Sequence, residues 1–463
     1  MAAAIEYFRG MFHWTVKREG IIAPDERPPA AQSAALGLQH VFAMFGATVL
    51  GPALMGFNVN TAIFFSGIGT LIFFVCVRGR VPSYLGSSFS VIAVVVAATA
   101  YAPAVFGDPN PNIAVALGGI IACGLVYAII GVIVMAVGYK WVEWLMPPVI
   151  TGAIVMVIGL NLAHVAVADL SGTASWYINP AAGQSNNLFF LTMGLLTTAA
   201  VLVVAVWAPG LLRRLPILIG GIVGYLIYFV ATNLMNLGPT GSAINFDALS
   251  KAAWIGLPAF TAPKFDGHAI VLIAPIAIVL VAENLGHLKA VAAMTGRNMD
   301  PYIGRAFLGD GIATMVSGSG GGTGVTTYAE NIGVMAVTRM YSSLVFVIAA
   351  GVAILLGLCP KFNELIHTIP TCVLGGLAIV LFGLIAATGA RIWVQNKVDF
   401  GVTRNLVTVA AALTIGAGDL TLTSGDFSLG GIAMATFGAI IVYQVLGLVK
   451  VEPEPGAAES AVS

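Results

Sequence analysis

Long apolar runs, rather than amphipathic periodicities, set the pattern of this chain. Eleven of them stand out, at residues 34–55, 60–77, 113–137, 148–166, 188–208, 215–236, 268–288, 342–359, 371–390, 405–418 and 428–449. A helix needs about 20 apolar residues to cross the hydrocarbon core of a bilayer, and most of these runs reach or approach that length. Three further stretches are short or broken, at 84–100, 306–318 and 325–338. Counting all of them predicts fourteen spans; rejecting the weak three leaves eleven. Charge decides between the two. With the N-terminus inside and fourteen crossings, 17 of the 20 Lys and Arg residues fall on the cytoplasmic side, leaving only Lys251, Lys264 and Lys361 outside. That is the asymmetry of the positive-inside rule. Dropping one crossing would move every later basic group to the opposite side.

The broken stretches are the informative ones. The third span reads YLGSSFSVIAVV and the tenth GSGGGTGVTTYAENIGVMAV. Ten is three plus seven, so both occupy the same place in two seven-span halves. Because seven is odd, the second half enters the membrane inverted relative to the first. Paired Gly-interrupted segments in two such halves point to a transporter's binding site. Irregular backbone at membrane depth persists only where protein or a water-lined cavity satisfies its polar groups. Ser87, Ser88, Thr326 and Thr327 favour extended backbone at the two breaks. The expected fold is therefore an all-α polytopic membrane protein, a 7+7 inverted repeat over residues 31–236 and 268–449. An extracytoplasmic loop at 237–267 joins the halves.

Composition agrees with a lipid environment. Of 463 residues, 59% are hydrophobic and 9% charged, with a mean hydropathy of +0.96, whereas soluble domains carry roughly 25% charged residues. The net charge of zero offers no electrostatic footprint for nucleic acid. Cys76, Cys123, Cys359 and Cys372 show no metal spacing and read as small hydrophobes. No cofactor is expected. Charged residues interrupt positions 1–30, which read as a cytoplasmic tail and not as a cleavable signal. Residues 450–463 read as a second, loose cytoplasmic tail.

Within the spans, ionisable side chains are costly, roughly 2.5–3.5 kcal/mol for Asp, Lys or Arg at a helix centre, and mark function by default. Glu283 follows more than a dozen uncharged residues, and Glu330 follows the Gly-rich break. Both sit in the same context, AENLG and AENIG. A single intramembrane glutamate can be a satisfied interhelical contact; two in one repeated context favour a site. His287 lies four residues after Glu283, on the same helical face, and histidine titrates near neutrality. Asp310 in the ninth span is a further buried-acid candidate, while His40 and His164 read more simply as helix-packing residues.

Two carboxyls in a small cavity suit a flat ring that offers N–H donors beside C=O acceptors. Uracil and purine-diones both fit that description. Backbone groups freed near Phe89 and Ala329 would add fixed donors and acceptors, and the Phe89 ring could cover a ligand face. Burial and mutual repulsion favour keeping a proton on one of two such carboxyls. Substrate and proton then promote each other's binding. A membrane enzyme is disfavoured by the absence of HExxH, GxSxG or Walker motifs. An anion exchanger would want a basic group or bare helix N-termini at the breaks in place of two glutamates, and a passive channel or facilitator would show no proton dependence.

The segment Glu330-Asn331-Ile332-Gly333, followed by Thr338-Arg339, matches the signature of the nucleobase–ascorbate transporter family, Q/E-N-x-G-x4-T-R/K. The Gln39-His40 pair and AENLGHLKAV also resemble that family. RPPAAQSAALGLQHVFAMFGATVLGP resembles its bacterial uracil permease branch. The likeness runs over residues 24–450. It implies short strands in spans 3 and 10, a core domain of spans 1–4 and 8–11, and a gate domain of spans 5–7 and 12–14. It further implies proton symport of a pyrimidine base at the inner membrane by a homodimer, with a purine or xanthine symporter as the alternative. By position, Glu283 and Glu330 would hold the base, Phe89 and Ala329 would contact it through backbone, and His287 would sit nearby. Proton coupling would fall to Glu283, His287 and Asp310. Two positions depart from the uracil permease pattern: Ala329 stands where Gly is expected, and Phe382 where Tyr is expected.

Overall fold

The computed structural model describes residues 12–101, 108–170, 188–209, 212–239, 241–424 and 427–448. The C-terminal tail expected at 450–463 lies outside the described residues, as do residues 1–11 of the N-terminal one.

What is described of the N-terminal tail is folded against the body. Strand β1 (Thr15–Val16) pairs in parallel with β2 (Glu26–Arg27). Ile22, only 1% exposed, bridges to Met340, and the Tyr341 amide donates to its carbonyl at 2.8 Å. Trp14 Nε1 donates to Ser343 Oγ at 2.9 Å. Asp25 accepts from Arg297 at 2.7 Å and from Arg80 at 3.5 Å. Nothing in the hydropathy pattern of residues 12–29 signals this strap, because single residues distributed along it hold it down.

Helix α1 (Ala30–Leu54) and α2 (Val59–Cys76) follow, the latter capped by Asn58 accepting from the Thr61 amide. Strand β3 (Leu85–Ser87) leads through a 3-10 turn, Phe89–Val91, into α3 (Ile92–Thr99). Next come α4 (Ile113–Val137), α5 (Pro148–Asn161), α6 (Ala163–Leu170), α7 (Leu188–Trp207) and α8 (Pro216–Phe229). Prolines begin α5 and α8, where the missing N–H has no helical partner to lose.

Beyond the 237–267 loop, α9 (Gly267–Ile273) runs into α10 (Ile276–Thr295) at Pro275. Helix α11 (Ile303–Gly320) turns at Gly321, φ 104°, into β4 (Val325–Thr327) and α12 (Ala329–Thr338). The chain ends with α13 (Ser343–Gly357), α14 (Pro360–His367), α15 (Thr371–Gln395), α16 (Thr403–Ala417), the β5–β6 hairpin (Leu422–Ser424 and Phe427–Leu429) and α17 (Gly431–Leu446).

Among the described residues, eight helices are long and apolar enough to cross a membrane when α5 with α6 and α9 with α10 each count as one and α8 is followed to Leu234, or nine if α13 and α14, bent by 81°, also count as one span. The remaining predicted crossings fall on shorter or more polar elements: the β3–α3 and β4–α12 units, α11, α16 and α17.

Small residues let the long helices touch along their backbones, as membrane helices require when lipid tails are as apolar as Leu. A Cβ on Gly311 of α11 would stand 2.4 Å from the Ala128 amide of α4, and one on Gly131 would stand 2.4 Å from the Leu308 amide. Helices α5 and α15 meet in the same way, with Gly159 against the Phe382 carbonyl and Gly389 against the Gly152 carbonyl. One group of helices thus packs around α4 and α11 and another around α5 and α15. The strands of the two broken elements pack against α1, α2, α10 and α11.

Candidate functional site

Two three-residue strands form the centre of the site. β3 and β4 pair antiparallel, with Leu85 opposite Thr327, Gly86 opposite Thr326 and Ser87 opposite Val325. The Ser88 amide donates to the Gly324 carbonyl at 2.9 Å and the Tyr328 amide to the Tyr84 carbonyl at 3.0 Å, extending the pairing by one bond at each end. Polar side chains occupy the remaining backbone groups: Thr70 Oγ1 accepts from the Leu85 amide at 2.9 Å and Thr314 Oγ1 from the Val325 amide at 3.2 Å. Extended backbone can therefore sit in an apolar interior, since its donors and acceptors are paired. The Tyr328 ring lies over Gly86, where a Cβ would come within 2.3 Å of it. The Tyr328 hydroxyl donates to the Ser87 carbonyl at 2.9 Å and accepts from Thr48 at 3.2 Å.

Because the strands are antiparallel, the two short helical segments leave the crossing in opposite directions. The first turn of each presents amides with no intrahelical partner. Ser88 caps one by accepting from the Ser90 amide. The other, beginning at Ala329, has no side-chain cap.

Beside the crossing is a cavity of about 30 Å³. Its walls are Ser87, Ser88 and Phe89 from one break, Tyr328, Ala329 and Glu330 from the other, Glu283 and His287 from α10, Val155 and Ile158 from α5, and Ile385 and Thr388 from α15. The five residues read from the sequence as substrate contacts are therefore brought together. That volume is far below the roughly 300–1,000 Å³ of a typical small-molecule pocket, so a planar ring calls for a wider cavity than this one. Two larger chambers, about 810 and 840 Å³, meet this cavity through Ala329 and Thr388, which line all three.

The two glutamates are held differently. Glu283 Oε2 accepts from Ser88 Oγ at 3.2 Å and from Ser90 Oγ at 3.4 Å. No side-chain hydroxyl or amide donates to Glu330 among the described residues. The asparagine after each acid is a tether. Asn284 donates to Asp310 Oδ2 at 2.6 Å and to the Tyr127 hydroxyl at 2.8 Å. Asn331 donates at 3.0 Å to both the Nδ1 and the backbone carbonyl of His40.

Asp310 does not line the cavity; it lies fully buried behind the crossing. Its Oδ2 also receives Tyr127 at 3.2 Å and Thr326 at 3.5 Å, while Oδ1 has no hydrogen-bond partner among the described residues. His287 joins cavity and network through Thr327, with Nδ1 2.9 Å from Thr327 Oγ1 and that oxygen 3.5 Å from Asn284 Oδ1. His40 is buried against Phe346 and, like the exposed His164, stands outside the cavity wall. Phe382 packs edge-on against Phe89, ring centroids 5.5 Å apart. The four cysteines are free thiols, and no group of three or more metal-ligating side chains occurs among the described residues.

Sequence reasoning did not single out Asn284, Asn331, Tyr127, Ser90 or Thr388. The repeated five-residue context already contained both asparagines. Tyr127 and Thr388 carry no local signal, because each is one polar group in a long apolar run.

Comparison with known proteins places the chain. The sequence profile of the Permease family (Xan_ur_permease) matches residues 31–425. The chain is 57% identical to "Putative pyrimidine permease RutG" of Escherichia coli K12, over 96% of this chain and 97% of that one. It is 40% identical to the uracil permease of Bacillus caldolyticus, over 91% and 93%, and 38% identical to that of E. coli K12, over 95% and 98%. Among solved structures, the transmembrane domain of the cyanobacterial bicarbonate transporter BicA superposes with a TM-score of 0.64 at 16% identity, covering 90% of this chain and 97% of that one. The inward-facing murine anion transporter Slc26a9 gives 0.66 at 11% identity, covering 90% and 68%. At such identities the structural likeness shows the fold alone: a mostly helical, multi-pass transporter fold. The signature after the second break, the profile match and relatives aligned over nearly their whole length lead to one statement: the chain belongs to the nucleobase–ascorbate transporter family of membrane permeases.

Proposed function

We propose that this permease imports a pyrimidine nucleobase, uracil in the first instance, together with a proton, by alternating access. The observation that carries the reading is that Glu283 and Glu330, from separate helices, line one cavity beside the paired breaks. The uracil and pyrimidine permease relatives support the choice of base. Uracil's ring N–H groups and carbonyls would meet the two carboxyls and the free amides of the helix starts. Phe89, braced by Phe382, would cover a ring face, and Ala329 would make its contact through backbone.

Coupling follows if the base binds well only when one acid carries a proton. Glu283 is the first candidate; His287 and Asp310 are linked to each other through Thr327 and Asn284, the residue that follows Glu283. A proton held there favours the base, and the base favours the proton, by linkage.

The same proposal extends to architecture. Fourteen crossings in two inverted halves account for the placement of β3–α3 and β4–α12 at equivalent positions. Spans 1–4 and 8–11 would form the core carrying the crossing; spans 5–7 and 12–14, including α5 and α15, would form the gate. Rocking of α15 against the crossing would widen the 30 Å³ cavity. Both termini would be cytoplasmic, in the inner membrane, and the working unit a homodimer.

The test is uptake of labelled uracil into proteoliposomes, with and without an inward proton gradient, for wild type and Glu283→Gln. Gradient-driven accumulation that the variant loses supports symport through Glu283. A variant that still accumulates with the gradient removes Glu283 from coupling. Absence of uracil uptake in wild type redirects the assignment to xanthine, and uptake that never exceeds equilibration means a facilitator.

A further inference from the structure

The two large chambers share a wall whose chemistry a neutral base does not use. Ala329, Gly333, Thr388 and Arg391 line both. Thr388 also borders the central cavity, and Arg391 follows it by three residues on α15, one turn further along the same face and about 4.5 Å along the axis. On the opposite wall, Gly333 stands one turn beyond Glu330, and a Cβ built there meets no atom within 4 Å. The passage from the base cavity to Arg391 is thus open on one side and polar on the other.

The charge in these chambers is unbalanced. Lys289, in the second, is neutralised by Glu143 at 2.9 Å and Asp300 at 3.0 Å. Arg391, and Arg213 in the first chamber, form no ion pair among the described residues. Apart from Glu330, neither chamber contains an acid left over for them. The positive-inside rule explains why basic residues lie near this end of the helices. It supplies no acid for Arg391 or Arg213, whereas Lys289, which shares the second chamber with Arg391, has two.

We propose that this antechamber binds the 5′-monophosphate of a pyrimidine nucleoside from the cytoplasmic side, the base entering the Glu283–Glu330 cavity and the phosphate pairing with Arg391, so that the phosphorylated product of the imported base blocks its own importer. Arginine suits the role because its planar fork engages phosphate oxygens in pairs. The ribose would pass between Gly333 and Thr388. The Thr388 hydroxyl donates to the Leu384 carbonyl at 2.9 Å, which leaves its lone pairs to accept from a sugar hydroxyl. The inference rests on the base-binding reading above and adds a second ligand class and a direction of inhibition.

The experiment loads proteoliposomes internally with uridine 5′-monophosphate, uridine or inorganic phosphate and measures the initial rate of external uracil uptake. Each variant's inhibition is referred to its own uninhibited rate. Internal monophosphate is expected to inhibit, with a midpoint about tenfold or more higher in Arg391→Gln. Lys397→Gln, the same charge change outside both chambers, leaves the midpoint within about twofold of wild type. Uridine, lacking the phosphate, inhibits more weakly. An active wild type unaffected by internal monophosphate overturns the proposal, as does an equal midpoint in Arg391→Gln. Inhibition by inorganic phosphate as strong as by the nucleotide also overturns it, leaving an adventitious anion only. Wild type without uracil uptake would count against the base assignment instead. Thermal unfolding of the detergent-solubilised protein then tests the nucleotide site by itself: stabilisation by the monophosphate that Arg391→Gln loses supports it, and no stabilisation in wild type overturns it.

Discussion

Glu283 and Glu330 share a sequence context and a cavity, yet their settings differ. Glu283 belongs to the unbroken helix α10 and accepts from two serines of the opposite break. Its neighbour Asn284 is tied to a buried acid and a tyrosine. Glu330 stands in the first turn of α12, where unpaired amides surround it, and Asn331 is tied to His40 on α1. One acid is held by two serine hydroxyls next to an asparagine tied to a buried acid; the other sits at a helix start facing the chamber of about 810 Å³. The repeated five-residue context therefore specifies a common device, an acid at the cavity with an asparagine anchoring its helix. What differs between the two copies is the donor set: two serine hydroxyls for Glu283 and helix-start amides for Glu330.

The strongest way to break this comparison is to neutralise each acid in turn. Glu283→Gln is expected to abolish gradient-driven accumulation while equilibrative exchange persists. Glu330→Gln is expected to retain coupling and raise the KM for uracil about 5- to 150-fold, the equivalent of about 1–3 kcal/mol for an unpaired polar group. Accumulation ratio and KM, measured on both, separate the roles; identical phenotypes would dissolve the distinction.

A smaller effect comes from the tethers. Asp310→Asn sets an amide against the Asn284 amide and strands a buried donor, at a loss of about 1–3 kcal/mol. Thermal unfolding of the purified protein reads it, and a Tyr127→Phe variant should lose less, about 0.5–1.5 kcal/mol.

Smaller again are Ser88→Ala and Ser90→Ala, each expected to lower kcat/KM about two- to tenfold. In a Glu283→Gln background the same changes should do less, because the acceptor they serve has changed. A double-mutant cycle measures that coupling, and strict additivity would mean that the serines act elsewhere.

The smallest effect is a control remote from both acids. Burial works to raise the Asp25 pKa, but the hydrogen bond from Arg297, a backbone bond and the charges of Arg297 and Arg80 hold it below the ordinary 3.8. A depressed folded-state value means that its stabilisation is complete above the unfolded value and fades as pH falls through the folded one. Asp25→Asn should therefore change stability at pH 5–8 by no more than about 1 kcal/mol, since the pair is partly exposed, and the difference from wild type should shrink as pH falls below 3.8. Unfolding midpoints across that pH series check it.

Much of this was legible in the sequence for a physical reason. Lipid forbids unpaired polar groups, so glutamates in apolar runs and glycines at membrane depth stand out against a uniform background. Glu283, Glu330, Phe89, Ala329 and His287 were found in this way, and they share one cavity. The family followed from the ENIG signature and its Thr-Arg end. Span counting is less direct, because α16, α17 and the two broken units are too short to declare themselves by length. Asp310 was visible as an intramembrane acid, but its place behind the crossing was not. That position depends on α4 and α11 meeting through Gly131 and Gly311, and a helix–helix register leaves no mark in local hydropathy.

The N-terminal strap has a consequence in the order of manufacture. Ile22 and Trp14 are made before their partners Met340 and Ser343, which follow more than three hundred residues later. At about 5–20 residues per second, the leading segment waits tens of seconds for its partners. Its docking therefore reports that the second break has been completed and that α13 has begun. A chain that stops before residue 340 lacks the partners of Ile22 and Trp14, and by that an unfinished copy differs from a finished one.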